Sequence, residues 1–355
     1  MLRRAHPVLA WMTVVVIAVA GLAVVKWLPY YQKAHVAAQH HSIGTSILTG
    51  NADAAPAPSV QAALDYAAAY GKAIWKAMVL GLLLGSALQA LLPRRWITSA
   101  LGASGLASVV AGGMLALPGM MCTCCAAPVV AGLRGCRAAP GSAVAFWFGN
   151  TVLNPATLVF TGFVLGWNWF GLRLVFGMIM VFGLGWLVNR LAPGEDVAAP
   201  DATTATSAGT AMAARQAAET EVSFTRWMRI LFQMAVRLLP EYVVLVLLLG
   251  AARAWLFPHL GHDVDNSLAW ILAFAVAGAV FVIPTAGEVP IVQAMLALGV
   301  GVGPAAAVML TLPPISAPSV AMLWKSFRPR TLGIVSLGVV VLGIAAGLSA
   351  VQWLG

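Results

Sequence analysis

Three cysteines, Cys122, Cys124 and Cys125, fall within four consecutive positions of an apolar region flanked by Pro118 and Pro128. Soft sulfur ligands select soft, thiophilic species such as Cu(I), trivalent arsenic or sulfur compounds. The C-x-C-C spacing differs from the paired C-x2-C of structural zinc sites, and no histidine lies near it in the chain. A single buried cysteine usually serves as a small hydrophobe. Three together, where a helix must break, favour contact with a solute. Cys136, between Arg134 and Arg137, reads as a boundary residue. Neighbouring thiols can also cycle between dithiol and disulfide, so a membrane thiol-disulfide oxidoreductase built on this cluster is the alternative function. No haem or quinone signature and no other cofactor motif accompanies the cluster.

Glu288, in the break Pro284–Pro290, is the second candidate. A carboxylate at membrane depth is costly unless solvated or paired, and marks a proton carrier or cation ligand. Asn150 and Asn154 are spaced to share a helix face and offer amides to a substrate, followed at once by Pro155. Thr311, Pro313, Pro314, Ser316 and Pro318 hold the equivalent place later in the chain, where prolines free carbonyls. Arg237 and Glu241, at i and i+4, are expected to pair with each other. His259, His262 and Asp263 sit in a loop and are expected to be merely solvated. There is no G-x-x-x-x-G-K-[ST] phosphate loop, H-E-x-x-H or G-x-S-x-G motif, so neither an ATP-driven pump nor a hydrolase is visible.

The elements that must position these residues are membrane helices. Of 355 residues, 61% are hydrophobic and only 9% charged, against roughly a quarter charged in soluble chains. Apolar runs have the ~20-residue length of a membrane-crossing helix, not the length of a barrel strand. The net charge of +9 comes from Lys and Arg scattered singly or in pairs at run ends, a topology signal rather than a nucleic-acid surface. The expected class is an all-α polytopic membrane protein in a bacterial inner membrane, with the lipid bilayer and a small-molecule substrate as partners.

Residues 1–72 read as an uncleaved first span, Val8–Leu28, followed by an external loop. Residues 73–191 form a first transmembrane repeat, with a hairpin near 97–133. Residues 192–225 are a polar Ala/Thr/Asp linker, expected to be cytoplasmic. Residues 226–355 form a second repeat, with a hairpin near 268–298 and a terminal span. Prolines at 118, 128, 284 and 290 bound the two breaks. The sequence from Pro128 through Pro140 to Asn154-Pro155 parallels that from Pro290 through Pro304 to Ala317-Pro318. Paired interrupted apolar segments of this kind mark a transporter built from repeats, with its site at the breaks.

Basic residues in short loops favour the cytoplasm. If both broken segments are re-entrant hairpins entering from opposite sides, Arg94, Arg95, Arg134, Arg137, Arg190, Arg226 and Lys325 fall inside. Together with Arg3, Arg4, Arg215, Arg229, Arg328 and Arg330 these make thirteen inside, against six outside: Lys26, Lys33, Lys72, Lys76, Arg173 and Arg253. The two halves are therefore expected to be inverted, with full crossings at Pro140–Phe163, Trp169–Leu191 and Pro304–Trp324 among others. If Ile97–Leu117 crosses fully instead, the linker changes side.

The arrangement Pro118, Cys122-Thr123-Cys124, Pro128-Val129-Val130-Ala131-Gly132-Leu133, then Pro140-Gly141-Ser142-Ala143 and Asn154-Pro155, resembles the ArsP-like predicted permease family. The stretch Pro284–Pro290, continuing through Pro304 and Pro318, resembles that family's second repeat. The resemblance covers about Ala73 to Trp324, apart from the linker. It implies an inner-membrane permease, in some relatives an exporter of trivalent organoarsenicals recognised through thiols, with Cys122 and Cys124 at the motif cysteines. Thr123 stands where serine is usual, Cys125 adds a thiol, and the interval from Pro118 to Cys122 is longer than in the family pattern.

The expected activity is thus permeation of a small thiophilic solute, an organoarsenical, soft metal or sulfur compound, driven outward by the proton gradient. Cys122, Cys124 and Cys125 would contact the solute, Asn150 and Asn154 would line its path, and Glu288 would couple the proton.

Overall fold

The computed structural model describes residues 7–48, 56–91, 94–192, 224–257, 261 and 263–354. Among these, the chain is built from helices. α1 (Pro7–Leu22) runs through a π-helical turn, Ala23–Trp27, into α2 (Leu28–His40). Then come α3 (Val60–Leu91), α4 (Arg94–Leu101), α5 (Leu106–Ala116), α6 (Thr123–Gly135), α7 (Pro140–Thr151) and α8 (Pro155–Val164). α9 (Trp167–Met178) continues through a second π turn, Ile179–Gly183, into α10 (Leu184–Leu191). The part of the chain beyond the linker holds α11 (Phe224–Leu256), α12 (Leu268–Val280), α13 (Glu288–Ala297), α14 (Val302–Thr311), α15 (Ala317–Leu323) and α16 (Pro329–Trp353). Six stretches are long and apolar enough to cross a membrane. The expected polytopic all-α class holds.

The stretch expected to be an external loop is largely helix. The first helix carries on past Leu28 to His40, and α3 begins at Val60, not at Ala73. A helix leaving hydrocarbon need not stay apolar, so polarity at Gln32, Lys33 and His35 concealed its continuation. The π turn has a positional effect. One extra residue in a turn rotates the faces of α2 relative to those of α1, and Lys26 in that turn is buried within the protein.

Four breaks interrupt the apolar helices: residues 117–122, 152–154, 281–287 and 312–316. At 1.5 Å per residue, the 11 residues of α5, 13 of α12 and 10 of α13 span about 16, 20 and 15 Å, short of the ~30 Å of hydrocarbon. The run Pro304–Trp324, where prolines were expected to free carbonyls, holds two short helices, α14 and α15, and the span at Pro140–Phe163 is interrupted in the same way between α7 and α8. The order short helix, break, short helix, short helix, break, short helix occurs once before the linker and once after it.

The prolines act differently from expectation at two of four positions. Pro118 lies in the 3-10 turn Leu117–Gly119 and Pro284 in irregular backbone, both inside the breaks. Pro128 is inside α6 and Pro290 is the third residue of α13. The first turn of a helix has no internal acceptor for its N–H groups, so Pro290 loses nothing there. Pro128 removes one bond further in and leaves the Cys124 carbonyl without its helical donor.

α3 packs along both α6 and α11. Its contact with α6 is backbone to backbone. A Cβ on Gly81 would strike the Cys125 carbonyl, one on Gly85 the Pro128 carbonyl, and one on Gly132 the Gly85 oxygen at 2.6 Å. Small residues are what allow membrane helices to approach this closely. Towards α11, Trp227 Nε1 donates to Ser86 Oγ at 2.9 Å.

Candidate functional site

Each of the two breaks ahead of α6 and α13 contains a non-glycine residue in left-handed backbone, Met120 (φ 48°) and Ala286 (φ 66°). For an L-residue this costs about 1–2 kcal/mol. Glycine at 286 removes that strain but adds freedom to the unfolded chain worth roughly 0.4–1 kcal/mol. Ala286→Gly is therefore expected to raise thermal stability by about 0.5–1 kcal/mol. A melting curve of the purified variant tests this, and an unchanged or lower transition would show that the backbone is not strained there.

Beyond Met120 the chain extends through Cys122, the N-cap of α6, and enters the helix at Thr123. Thr123 Oγ1 donates to the Pro314 carbonyl at 3.2 Å and accepts from Trp147 Nε1 at 2.9 Å. Cys124 Sγ lies 3.7 Å from Ser316 Oγ. The first turn of α6 is thereby joined to the break between α14 and α15. Ser316 and Ser319 form a reciprocal cap at the start of α15, so that break is an ordered helix start. All four cysteines are free and buried.

On the other side, Glu288 opens α13 and pairs with Arg173 of α9, Oε1 to Nη2 at 2.7 Å, with both side chains almost fully buried. Arg173 also donates to the carbonyls of Thr151 and Val152, each at 3.2 Å, at the end of α7. Tyr66 donates to the Val282 carbonyl and Tyr70 to the Ile283 carbonyl, the latter at 3.4 Å. Lys26 donates to Thr285 Oγ1 at 3.0 Å and Tyr30 OH at 3.2 Å. Broken backbone at this depth needs such partners, because hydrocarbon supplies none.

The breaks meet at one small crevice. Met121, Cys122 and Thr123 form one wall, Ile283 to Ala286 and Glu288 another, and Thr151 and Pro313 the remainder. Its volume is about 10 Å3, room for a single water. A larger cavity of about 830 Å3 lies between α11, α12, α15 and α16. Its lining is apolar apart from Arg237, Glu241, Lys325 and Ser336, and it reaches Ile315 and Ala317, the neighbours of Ser316.

Of the residues singled out from sequence, Cys122, Pro284, Glu288 and Pro313 line the crevice. Cys124 faces Ser316, and Cys125 is buried behind the same turn. Asn150 and Asn154 do not share a helix face, because α7 ends at Thr151. Asn154 caps α8, its Oδ1 accepting from Ala156 and Thr157 N–H groups at 3.0 and 3.3 Å. Asn150 Nδ2 donates to the Phe146 carbonyl at 3.0 Å, and a Cβ on Gly119 would strike its Oδ1. Neither amide lines the crevice. Arg237 and Glu241 line the large cavity, and no ion pair joins them among the described residues. His259 and His262 lie outside the described residues, as does nearly all of the linker. No group of three or more metal-binding side chains occurs among the described residues.

Lys26, Arg173 and Thr285 were not singled out from sequence as site residues, and Thr123 was noted only as a departure from the family motif. Lys26 between Val25 and Trp27, and Arg173 between Leu172 and Leu174, were counted as charges near span ends. A lone cation inside an apolar run was the available signal.

A family described as predicted permeases matches residues 119–350. The UPF0718 protein YraQ of Escherichia coli strain K12 is 49% identical over 332 residues, covering 93% of this chain and 92% of its own length. The chain belongs to the predicted permease family. A second relative, the UPF0718 protein MJ0584 of Methanocaldococcus jannaschii, is 33% identical over 118 residues, 33% of this chain and 32% of that protein. No solved structure matches. This multi-pass permease is a membrane transporter, and residues 119–350 include the three cysteines, the second broken region, Arg173 and Glu288.

Proposed function

We propose that this permease moves a small thiophilic solute across the bacterial inner membrane by alternating access, outward and at the expense of the proton gradient. The broken regions near 97–133 and 268–298 are re-entrant hairpins of two inverted repeats, entering from opposite sides. Cys122 is the contact for the solute, with Cys124 and Cys125 behind it. Glu288 is the coupling site: a proton that neutralises its carboxylate releases Arg173 and loosens the tie between α9 and α13.

The observation that carries this reading is the convergence of helix breaks from both halves on one crevice that Cys122 helps to line. Broken helices meeting at a shared cavity are the transporter arrangement. The closed crevice corresponds to a state between the two access directions.

The test is flux of thiophilic solutes in proteoliposomes. Cys122→Ser is expected to reduce flux about tenfold or more, equivalent to ~1.4 kcal/mol of lost recognition, with folding unchanged because serine is nearly isosteric. Flux equal to that of the unsubstituted protein would remove the thiol from the path. Titrating free thiols before and after turnover separates the oxidoreductase alternative, which must accumulate disulfide.

A further inference from the structure

Lys26 is 4% exposed, and its hydrogen-bond partners are uncharged. Two hydroxyls take two of the three protons its ammonium can give. No carboxylate pairs with it among the described residues. A buried charge is normally matched by an opposite one, because leaving water penalises it heavily. The acidic group at the crevice, Glu288, is already held by Arg173 at 2.7 Å, so those two charges cancel and Lys26 is left over.

That surplus charge lies behind the crevice wall. Thr285, whose hydroxyl accepts from Lys26 at 3.0 Å, and Cys122 are both part of that wall. A helix also begins there, α6 after Cys122, and its N-cap side chain satisfies none of the first-turn N–H groups. A helix start presents free donors and the positive end of the dipole. Positive potential therefore reaches the crevice from two elements, α6 and the π turn of the first helix, alongside one soft ligand.

We propose that the solute is a small anion carrying a soft sulfur atom. Its charge is balanced by Lys26 and the start of α6, and its sulfur accepts a hydrogen bond from the Cys122 thiol. A cation such as Cu(I) would meet repulsion there, and a neutral arsenical would leave Lys26 unmatched. This inference rests on the proposed function, in which the crevice is the solute site.

The experiment uses the full chain in proteoliposomes with three probes: thiosulfate, sulfate, and a neutral trivalent methylarsenical. Saturable thiosulfate flux is expected, with sulfate competing at least about tenfold less well. Lys26→Met should lower thiosulfate flux about tenfold or more, and Lys26→Arg should stay within about threefold of the unsubstituted protein. The proposal is overturned if the neutral arsenical is carried and thiosulfate is not, or if folded Lys26→Met carries thiosulfate at full rate. Should Lys26→Met fail to fold, the probe preference of the unsubstituted protein and the Lys26→Arg flux decide. Flux of the neutral probe that still depends on Cys122 defeats only the anion proposal, whereas flux of every probe without regard to Cys122 defeats the site itself.

Discussion

Arg173→Met is expected to lower stability by about 3–5 kcal/mol, the usual consequence of stranding one member of a buried ion pair. The substitution leaves the Glu288 carboxylate buried at 2% exposure without its cation, and removes the donor to two carbonyls at the end of α7. A steep fall in melting temperature in detergent, with poor recovery of folded protein, is the predicted result. Adding Glu288→Leu to the same chain should restore much of the loss, because two apolar groups of similar size can replace a buried pair at little cost. The double variant should also lose proton dependence of flux, since both members of the proposed coupling site are gone. A single variant as stable as the parent would show that Arg173 does not hold α9, α7 and α13 together.

Gly85→Val should be comparably damaging for a different reason. A Cβ at position 85 would sit against the backbone of Pro128 and 3.0 Å from the Val129 nitrogen, and backbone in a packed helix pair has no rotamer to change. Overpacking of this kind costs about 3 kcal/mol or more when nothing can yield. Gly71, on the same helix, has open space around its Cβ position. Gly71→Ala is accordingly expected to be neutral or to stabilise by about 0.5–1 kcal/mol through helix propensity. Equal melting temperatures for the two variants would exclude close approach of α3 and α6.

Physical scale separates the features that were readable in the chain from those that were not. Run length and the scarcity of charge announced membrane helices, and prolines with glycines inside apolar runs located both major breaks to within a few residues. The cysteine cluster at one break was equally plain, since Cys122 is the N-cap that the break creates. Partners across the chain were hidden. Arg173 and Glu288 are 115 positions apart, and Lys26 and Thr285 are 259 apart. Nothing local says that an arginine will be drawn inward rather than towards a membrane surface. Asn150 and Asn154 illustrate a subtler failure. Their spacing is right for one face, but Pro155 begins a new helix and converts Asn154 from a lining group into a cap. Pro290 is the reverse case, a breaker by type placed where a helix tolerates it.

α6 is fastened differently on its two flanks. On one flank its main chain is locked against α3 at Gly81, Gly85 and Gly132, and α3 is itself bound to α11. On the other flank side chains reach across: Thr123 to the Pro314 carbonyl, Cys124 to Ser316, and Arg134 to the Ser326 carbonyl at 3.1 Å and the Phe327 ring. The thiols are therefore seated on a backbone-packed frame, which the later half of the chain meets through side-chain tips.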